Sequence, residues 1–239
     1  MPYLSIIIPA YNESHRLPET LVLLKDYLAK QSYDYEVLVV DDGSTDDTVE
    51  LAGKAAKRFP GLRVIRNAQN KGKGGVVKQG MLEAKGELRL FMDADYSTPI
   101  DQIEKLLPQT KKYDVVIGSR YLEPGSIKVR QPLRRRIISR TCNVVIQALI
   151  LPGIKDTQCG FKLFSAGATE KIFPKLTMSG WAFDIELLAI AKQTGNPIKE
   201  VAVDWFDSKW SSLRATRGIG TFLSDLATIV RRYRSQAYR

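Results

Sequence analysis

Two aspartates at the end of a short apolar run are the residues best placed to do chemistry. Leu88–Met92 is followed directly by Asp93-Ala94-Asp95. Such a short run between polar residues predicts a buried strand, and side chains two apart on a strand point the same way. We therefore expect Asp93 and Asp95 to bind one Mg²⁺ or Mn²⁺, ions that usually also hold substrate phosphates. Taken alone, the segment is equally compatible with a solvated turn after a strand.

The amino-acid composition argues against several other kinds of catalytic and metal site. The 239 residues include one histidine, His15, and two cysteines, Cys142 and Cys159. A histidine-based triad or metal site would have to depend on His15, and the cysteine spacing argues against a zinc site or a disulfide framework. The net charge of +10 indicates an anionic partner, so nucleotides, nucleic acids and acidic membranes are all candidates.

Short apolar runs alternate with helical patterns along the first half of the chain. Strands are predicted at Leu4–Ile8, Glu36–Val40, Leu62–Arg66, Leu88–Met92, Val115–Ser119, near Phe164 and at Ile198–Val203. Helices are predicted at Pro18–Ala29, Asp47–Phe59, Ile100–Lys111, Ile137–Ile150, Gly180–Gln193 and Thr216–Tyr233. A further helix is predicted to follow the loop that ends at Gly75 and to end at about Ala84. This order predicts an α/β fold whose mostly parallel sheet gathers the motifs that follow its strands along one edge.

Membrane contact is one interpretation of two of these helices. Ser126–Lys155 contains no acidic residue, and its basic residues other than Arg140 and Lys155 precede the apolar helix Ile137–Ile150. A basic head before an apolar helix is typical of membrane-interface helices, but also of a core helix with a solvated end. The same two interpretations apply to Thr216–Tyr233. The sequence shows neither a signal-peptide pattern nor an apolar run long enough to span a bilayer.

Three more polar motifs follow predicted strands. They are Pro9-Ala10-Tyr11-Asn12-Glu13, Asp41-Asp42-Gly43-Ser44 and Asn70-Lys71-Gly72-Lys73-Gly74. The third has neither the P-loop nor the G-x-G-x-x-G spacing, and the second fails as a Ca²⁺ loop. Dehalogenase-type phosphatases place an aspartate pair after their first strand, unlike Asp93 and Asp95 here.

The four motifs, in this order, resemble those of family 2 glycosyltransferases of the GT-A fold. Val116–Tyr121, Asp156–Lys162 and Trp181–Glu186 extend the resemblance to the dolichyl- and polyprenyl-phosphate hexosyltransferases, those that transfer glucose ahead of those that transfer mannose. The resemblance implies one domain over residues 1–239. Residues 1–120 or so would bind the nucleotide sugar, and the rest would form the acceptor and membrane-facing part, with helices at its C-terminal end.

Roles for individual residues are carried over by motif. The residues implied to bind the nucleotide sugar are Pro9, Tyr11, Glu13, Asp41, Lys73, Asp93, Ser208 and Lys209. Those implied to meet the acceptor phosphate or the membrane are Arg120, Arg130, Arg134, Arg135 and Arg136. Catalytic roles are implied for Asp95, Arg120, Asp156 and Asp184, and metal binding for Asp95 and Asp93.

The implied reaction is an inverting, metal-dependent transfer of a hexose from a nucleotide sugar to a lipid phosphate. UDP-glucose is favoured over GDP-mannose as donor. The implied location is the cytoplasmic face of a membrane, by peripheral contact or through a membrane partner protein. Two alternatives remain open: a GT-A enzyme with a saccharide acceptor, using Asp184 or Asp156 as base, and a nucleic-acid-binding module built on Lys128–Arg140. We expect no nucleic-acid partner, because aromatic residues are not interleaved with those arginines.

Overall fold

One sheet flanked by helices organises the chain. The computed structural model describes residues 1–128, 133–207 and 219–239, with the side chains of residues 133–139 and 219 left out. The strands in these ranges are β1 (Leu4–Ala10), β2 (Tyr35–Asp41), β3 (Leu62–Arg66), β4 (Leu88–Met92), β5 (Val115–Ser119), β6 (Phe161–Ser165) and β7 (Ile198–Ala202). The helices are α1 (Leu17–Leu28), α2 (Thr48–Ala56), α3 (Lys73–Glu83), α4 (Ile103–Leu106), α5 (Leu133–Leu149), α6 (Ala166–Ile172), α7 (Phe183–Gln193) and α8 (Ile219–Arg234).

The order of the strands confirms the predicted, mostly parallel α/β sheet. They lie in the order β3-β2-β1-β4-β6-β5-β7, and only β6 runs antiparallel to its neighbours. The carboxyl ends of β1, β2, β4 and β5 therefore meet at one edge. Since β6 is reversed, its amino end, with the segment before it, arrives at the same edge.

Side chains alternate between two apolar layers, as a pleated strand buried on both faces requires. Ile7 and Phe91 pack towards α3, α7 and α8, whereas Ile6 and Ile8 pack towards α1 and α4. Fully burying one such side chain is worth ~1.5–3 kcal/mol. This double layer holds the strand ends, and therefore the site, in a fixed arrangement.

Two local expectations were wrong in segments that contain a proline. The first strand was expected to end at Ile8, before Pro9, but β1 continues through this proline to Ala10. The pairing of β1 with β4 ends at Ile7, so Pro9 is paired only on the β2 side, opposite Val40, and its missing N–H is tolerated.

Ile100–Lys111 is the second case. Instead of one helix, it forms a 3-10 turn, the four-residue α4 and a second 3-10 turn over Leu107–Lys111. Pro108 lies at the beginning of this second turn, where it cannot donate the hydrogen bond that would continue α4.

None of the helices in the described parts of the chain combines the length and apolar character needed to cross a bilayer. The two with predicted membrane contact, α5 and α8, are amphipathic and pack one face against the core through Ile146, Leu226 and Ile229.

Candidate active site

Lys73, the first residue of α3, lies at the centre of the polar edge. Its Nζ donates to Oδ1 of Asp93 at 2.6 Å and lies 5.3 Å from the centre of the Trp181 ring. Burial alone would lower the pKa of Lys73, but the carboxylates of Asp93, Asp184 and Asp95 more than offset it and raise the pKa. Lys73 is therefore a cation at neutral pH, surrounded by the acids that the sequence motifs singled out.

Asp93 sits directly against Gly160, the residue before β6. The Asp93 N–H donates to the Gly160 carbonyl at 3.1 Å. A Cβ on residue 160 would lie 2.0 Å from Oδ2 of Asp93, so only glycine leaves room for this carboxylate. The glycine of the Asp156–Lys162 motif thus shapes the carboxylate of a motif more than sixty positions away.

Asp95 is held from both sides. Its Oδ1 accepts from the Ser97 N–H at 3.0 Å and from the Ser97 hydroxyl at 2.6 Å. Its Oδ2 lies 3.4 Å from Nη1 of Arg16, whose guanidinium is bound mainly by the Glu13 carboxylate. Burial raises the pKa of Glu13 despite the opposing effect of Arg16. The contact that the structure shows for the Glu13 carboxylate is with Arg16, and its predicted contact with a nucleotide stays a prediction.

The donor set fits a divalent ion of the Mg²⁺ or Mn²⁺ kind. Asp93 and Asp95 offer hard carboxylate oxygens, and each has only one oxygen tied by a hydrogen bond shorter than 3.2 Å. No cluster of three or more potential ligands occurs among the described residues. Mg²⁺ is commonly held by one or two carboxylates together with substrate phosphates and water, which matches this arrangement.

Asp184, on the first turn of α7, pairs with Lys162, the second residue of β6. Lys162 is fully buried, and its Nζ donates to Oδ1 of Asp184 at 2.5 Å and to the Cys159 carbonyl at 2.6 Å. Burial raises the pKa of Asp184, and Lys162 and Lys73 counteract part of that rise. Asp184 is thus poised between two cations.

Arg120, which follows β5, forms a two-pronged pair with Asp156. Its Nε and Nη2 donate to the two carboxylate oxygens at 2.7 and 2.8 Å, and its backbone N–H adds a third hydrogen bond at 2.9 Å. Burial alone would raise the pKa of Asp156, but Arg120 reverses this and holds it below its usual value. The three hydrogen bonds make Asp156 a residue that orients Arg120. They do not favour it as a general base, because a carboxylate with a lowered pKa is a weak base. The Trp205 ring covers the guanidinium at 5.5 Å.

The loop motifs after β1 and β2 use their carboxylates internally. Asp41 is fully buried, and its carboxylate accepts from the N–H groups of Gly43 and Ser44. Asp42 accepts from the N–H groups of Lys71 and Gly72 at 2.6 and 3.0 Å, which holds the loop that leads to Lys73.

The structure describes some of the remaining residues that the sequence predicted for the site, and others lie outside its described parts. Pro9 lies within β1, and the Tyr11 ring beyond it is 48% exposed and thus accessible to a ligand. The predicted roles of Pro9, Tyr11 and Asp41 in nucleotide binding stay predictions. Arg130, Ser208 and Lys209 lie outside the described residues, as do the side chains of Arg134, Arg135 and Arg136.

Sequence reasoning missed four residues of this site: Arg16, Asp42, Lys162 and Trp205. Lys162 gave the one usable signal, since a lysine amid the apolar residues of Phe161–Ser165 breaks a buried strand pattern and needs a partner. Asp42 stood in one of the four motifs and Arg16 lies three residues from its main partner Glu13, but neither position alone indicated a role. Trp205 is remote in sequence from the Arg120 it covers.

Comparison with known proteins gives a consistent set of relatives. A model of the family described as Glycosyl transferase family 2 matches residues 5–173. Dolichyl-phosphate beta-glucosyltransferase from Dictyostelium discoideum is 37% identical, covering 97% of this chain and 75% of that protein. The proteins of the same name from Homo sapiens and Saccharomyces cerevisiae are 37% and 34% identical, each covering 99% of this chain and 77% of the relative.

Solved structures resemble the fold. Glucosyl-3-phosphoglycerate synthase from Mycobacterium tuberculosis, in complex with UDP, has a TM-score of 0.71 at 18% identity and covers 96% of this chain and 80% of that one. The same enzyme with Mn²⁺, UDP and glucosyl-3-phosphoglycerate has a TM-score of 0.66, covering 99% and 78%. At this identity the likeness concerns the fold, which is that of GT-A glycosyltransferases.

Proposed function

Because the chain belongs to glycosyltransferase family 2 and is a glycosyltransferase, we propose that it transfers glucose from UDP-glucose to dolichyl or another polyprenyl phosphate. The observation that carries the proposal is the pairing of two sites at one sheet edge. One joins Lys73 to Asp93 and Asp95, and the other presents Arg120 on Asp156. The names and extents of the matching relatives support the choice of glucose and of a dolichyl phosphate acceptor.

On the donor side, we assign the diphosphate to Lys73 and to a metal held by Asp93 and Asp95. Lys73 offers a positive charge close to both carboxylates, so it attracts an anionic leaving group. A Mg²⁺ or Mn²⁺ ion bound there would supply Lewis-acid stabilisation of the departing nucleoside diphosphate. Asp184 stabilises the cationic form of Lys73 from the α7 side.

On the acceptor side, Arg120 is suited to bind a phosphate monoester. Asp156 fixes its guanidinium in one plane, and a planar fork matches phosphate oxygens. The second pKa of such a phosphate is ~6, so the acceptor arrives mostly as the dianion and needs no strong base. One phosphate oxygen then forms a bond to the anomeric carbon as the bond to the diphosphate breaks, and this direct displacement inverts the configuration. The side chains position both groups and neutralise their repulsion.

The experiment that tests this proposal uses labelled UDP-glucose, a short polyprenyl phosphate and Mn²⁺ or Mg²⁺, with EDTA as control and labelled GDP-mannose in parallel. We expect metal-dependent label in the lipid fraction from UDP-glucose. Label from GDP-mannose alone would overturn the donor. If label is transferred to the lipid from neither donor, the proposed lipid phosphate acceptor is wrong. The hypothesis to test is then a saccharide acceptor with Asp184 as base.

We also propose that α5 and α8 bring this site to an anionic lipid surface. Their apolar side chains Val144, Val145, Leu149 and Leu223 are 63%, 40%, 38% and 56% exposed, and we call them the α5/α8 apolar surface. Leu149 and Leu223 line one open groove together with Arg231 and Arg234. Apolar groups rimmed by arginines are complementary to anionic headgroups over acyl chains.

Binding to vesicles tests this surface. We expect the protein to sediment with phosphatidylcholine vesicles containing phosphatidylglycerol more than with phosphatidylcholine alone. Leu223→Asp should weaken that binding about tenfold by burying a charge at the interface. Val22→Asp is the matched control, because Val22 is 59% exposed on α1. Equal binding of both variants, or no preference for anionic vesicles, would refute the assignment.

A further inference from the structure

Glu186 is a buried carboxylate for which the proposed reaction has no use. It lies on α7 two residues after Asp184 and is fully shielded from solvent. Oε2 accepts from the N–H groups of Thr177 and Met178 at 2.8 and 2.6 Å, and Oε1 accepts from the Thr177 hydroxyl at 2.7 Å. A buried charge is costly unless hydrogen bonds compensate it, so this carboxylate and the 177–178 backbone hold each other.

The segment that Glu186 holds, residues 177–178, is followed by Ser179, which contacts the first turn of α3. The Ser179 carbonyl accepts from the Gly74 N–H at 2.8 Å. Cβ atoms built on Gly72 and Gly74 would come within 2.5 Å of the Ser179 carbonyl oxygen and 2.3 Å of the Met178 carbonyl oxygen. The backbone of 178–179 therefore lies directly against both neighbours of Lys73, so the position of this segment constrains the first turn of α3.

On its other side, Glu186 meets the C-terminal part of the chain. Oε1 accepts from the Tyr238 hydroxyl at 2.9 Å and from Nη1 of Arg232, on α8, at 3.3 Å. The same carboxylate thus connects α8, the 177–178 backbone and, through Ser179, the beginning of α3.

We infer that Glu186 is a positioning residue for the donor site, which sets the affinity for the nucleoside diphosphate by fixing the 177–179 segment against Gly72 and Gly74. The inference rests on the proposed function, because it gives Lys73 the diphosphate as its ligand. Since Asp184 and Glu186 share one rigid helix, Glu186 also fixes the distance between the Asp184 carboxylate and α3. It touches neither donor nor acceptor itself.

The test measures binding of UDP with Mn²⁺ by titration calorimetry, together with donor KM and kcat, for the wild type and Glu186→Gln. With its one oxygen in the place of Oε2, the amide still accepts from the N–H groups of Thr177 and Met178, but without the charge that strengthens these hydrogen bonds. Its NH2 group then stands where Oε1 accepts from the Thr177 hydroxyl, Tyr238 and Arg232. We expect the dissociation constant and KM to rise about fivefold, as for the loss of part of a charge-assisted hydrogen bond, with kcat at saturating donor within about twofold.

Two further variants separate positioning from simple loss of stability. Ile229→Val removes a methylene from the fully buried part of α8 and leaves the Glu186 contacts intact, so it should lower the melting temperature without changing UDP affinity. Thr177→Val deletes the hydroxyl that donates to Glu186 and accepts from Arg232, and it should raise the dissociation constant about twofold. This variant keeps the test available if Glu186→Gln fails to fold.

The outcomes distinguish this inference from the proposed function. If the wild type binds UDP and both Glu186→Gln and Thr177→Val bind it equally well, the inference is overturned and the proposed function stands. Equal weakening by Ile229→Val would also overturn it, because affinity would then follow stability. A wild type that does not bind UDP would overturn the proposed donor along with the inference.

Discussion

The two ion pairs of the site differ in how much freedom they retain. The donor-side pair, Lys73 with Asp93, is partly open, its side chains being 22% and 31% exposed. The acceptor-side pair, Arg120 with Asp156, is closed, with 13% and 0% exposed, and it is two-pronged. Exposed pairs contribute ~0–1 kcal/mol, whereas removing one partner of a buried pair costs ~3–5 kcal/mol.

This difference matches what each side is proposed to bind. A partly open lysine with one flexible chain can exchange Asp93 for diphosphate oxygens at small cost, as binding of a departing group requires. A guanidinium that is held in one plane keeps its direction while acceptors come and go, which suits a phosphate that must be aligned before it attacks. The donor side therefore adapts and the acceptor side is preorganised.

The largest expected effect separates the pairs by stability. Asp156→Asn leaves Arg120 buried without an anion and should lower the free energy of unfolding by about 3 kcal/mol, whereas Asp93→Asn should change it by less than about 1 kcal/mol. Urea denaturation of both variants measures this. Because the pKa of Asp156 is lowered in the fold, its stabilisation is complete above the ordinary carboxyl pKa of ~3.9 and is lost only as the pH falls through the lower value. The Asp156→Asn difference should thus be unchanged from about pH 7 to about pH 5. Similar losses for both variants would remove the distinction.

Substitution of the donor-side residue Asp95 is expected to lower activity rather than stability. Asp95→Asn keeps an acceptor for the Ser97 hydrogen bonds but removes a metal ligand charge, so transfer should fall by about 100-fold at saturating Mn²⁺ with little change in melting temperature. Asp26→Asn, at an exposed position of α1, is the control. Near-normal turnover of Asp95→Asn would exclude the proposed metal site.

A third effect should appear in the pH profile. Lys162 counteracts the rise that burial causes in the pKa of Asp184. Lys162→Met should therefore raise that pKa further, and Asp184 should be protonated, with loss of donor affinity or turnover, as pH falls through the higher value. We expect kcat/KM to drop more at about pH 6 than at about pH 8, and Lys162→Arg to restore the profile in part. A parallel loss at both pH values would mean that Lys162 acts on folding alone.

The smallest expected effect concerns the aromatic cover of Lys73. Trp181→Ala removes a cation–π contact at a half-exposed position, worth ~0.5–1 kcal/mol. The dissociation constant for UDP with Mn²⁺ should rise about threefold. Leu23→Ala, a comparably exposed position on α1, should leave it unchanged. An unchanged constant for Trp181→Ala would show that Lys73 needs no aromatic support.

Much of the fold follows from local patterns in the chain. Leu62–Arg66, Leu88–Met92 and Val115–Ser119 are strands with the predicted bounds. For the last two, which are buried throughout, the reason is that a short apolar run between polar residues has few other ways to bury itself. The alternation of strands and helices likewise determined the parallel sheet, and with it the gathering of Asp93 and Arg120 at one edge.

What the local patterns left open is the pairing of groups across long separations. Nothing in Phe161–Ser165 says that β6 inserts antiparallel between β4 and β5, although this insertion brings Gly160 to Asp93 and Lys162 to Asp184. Similarly, the partner of Arg120, Asp156, lies 36 positions further along the chain. Sequence by itself determined which residue types stand at the strand ends, since burial and periodicity are local properties. Only the tertiary structure decided which charges meet, because ion pairing depends on distances that the packing of remote elements creates.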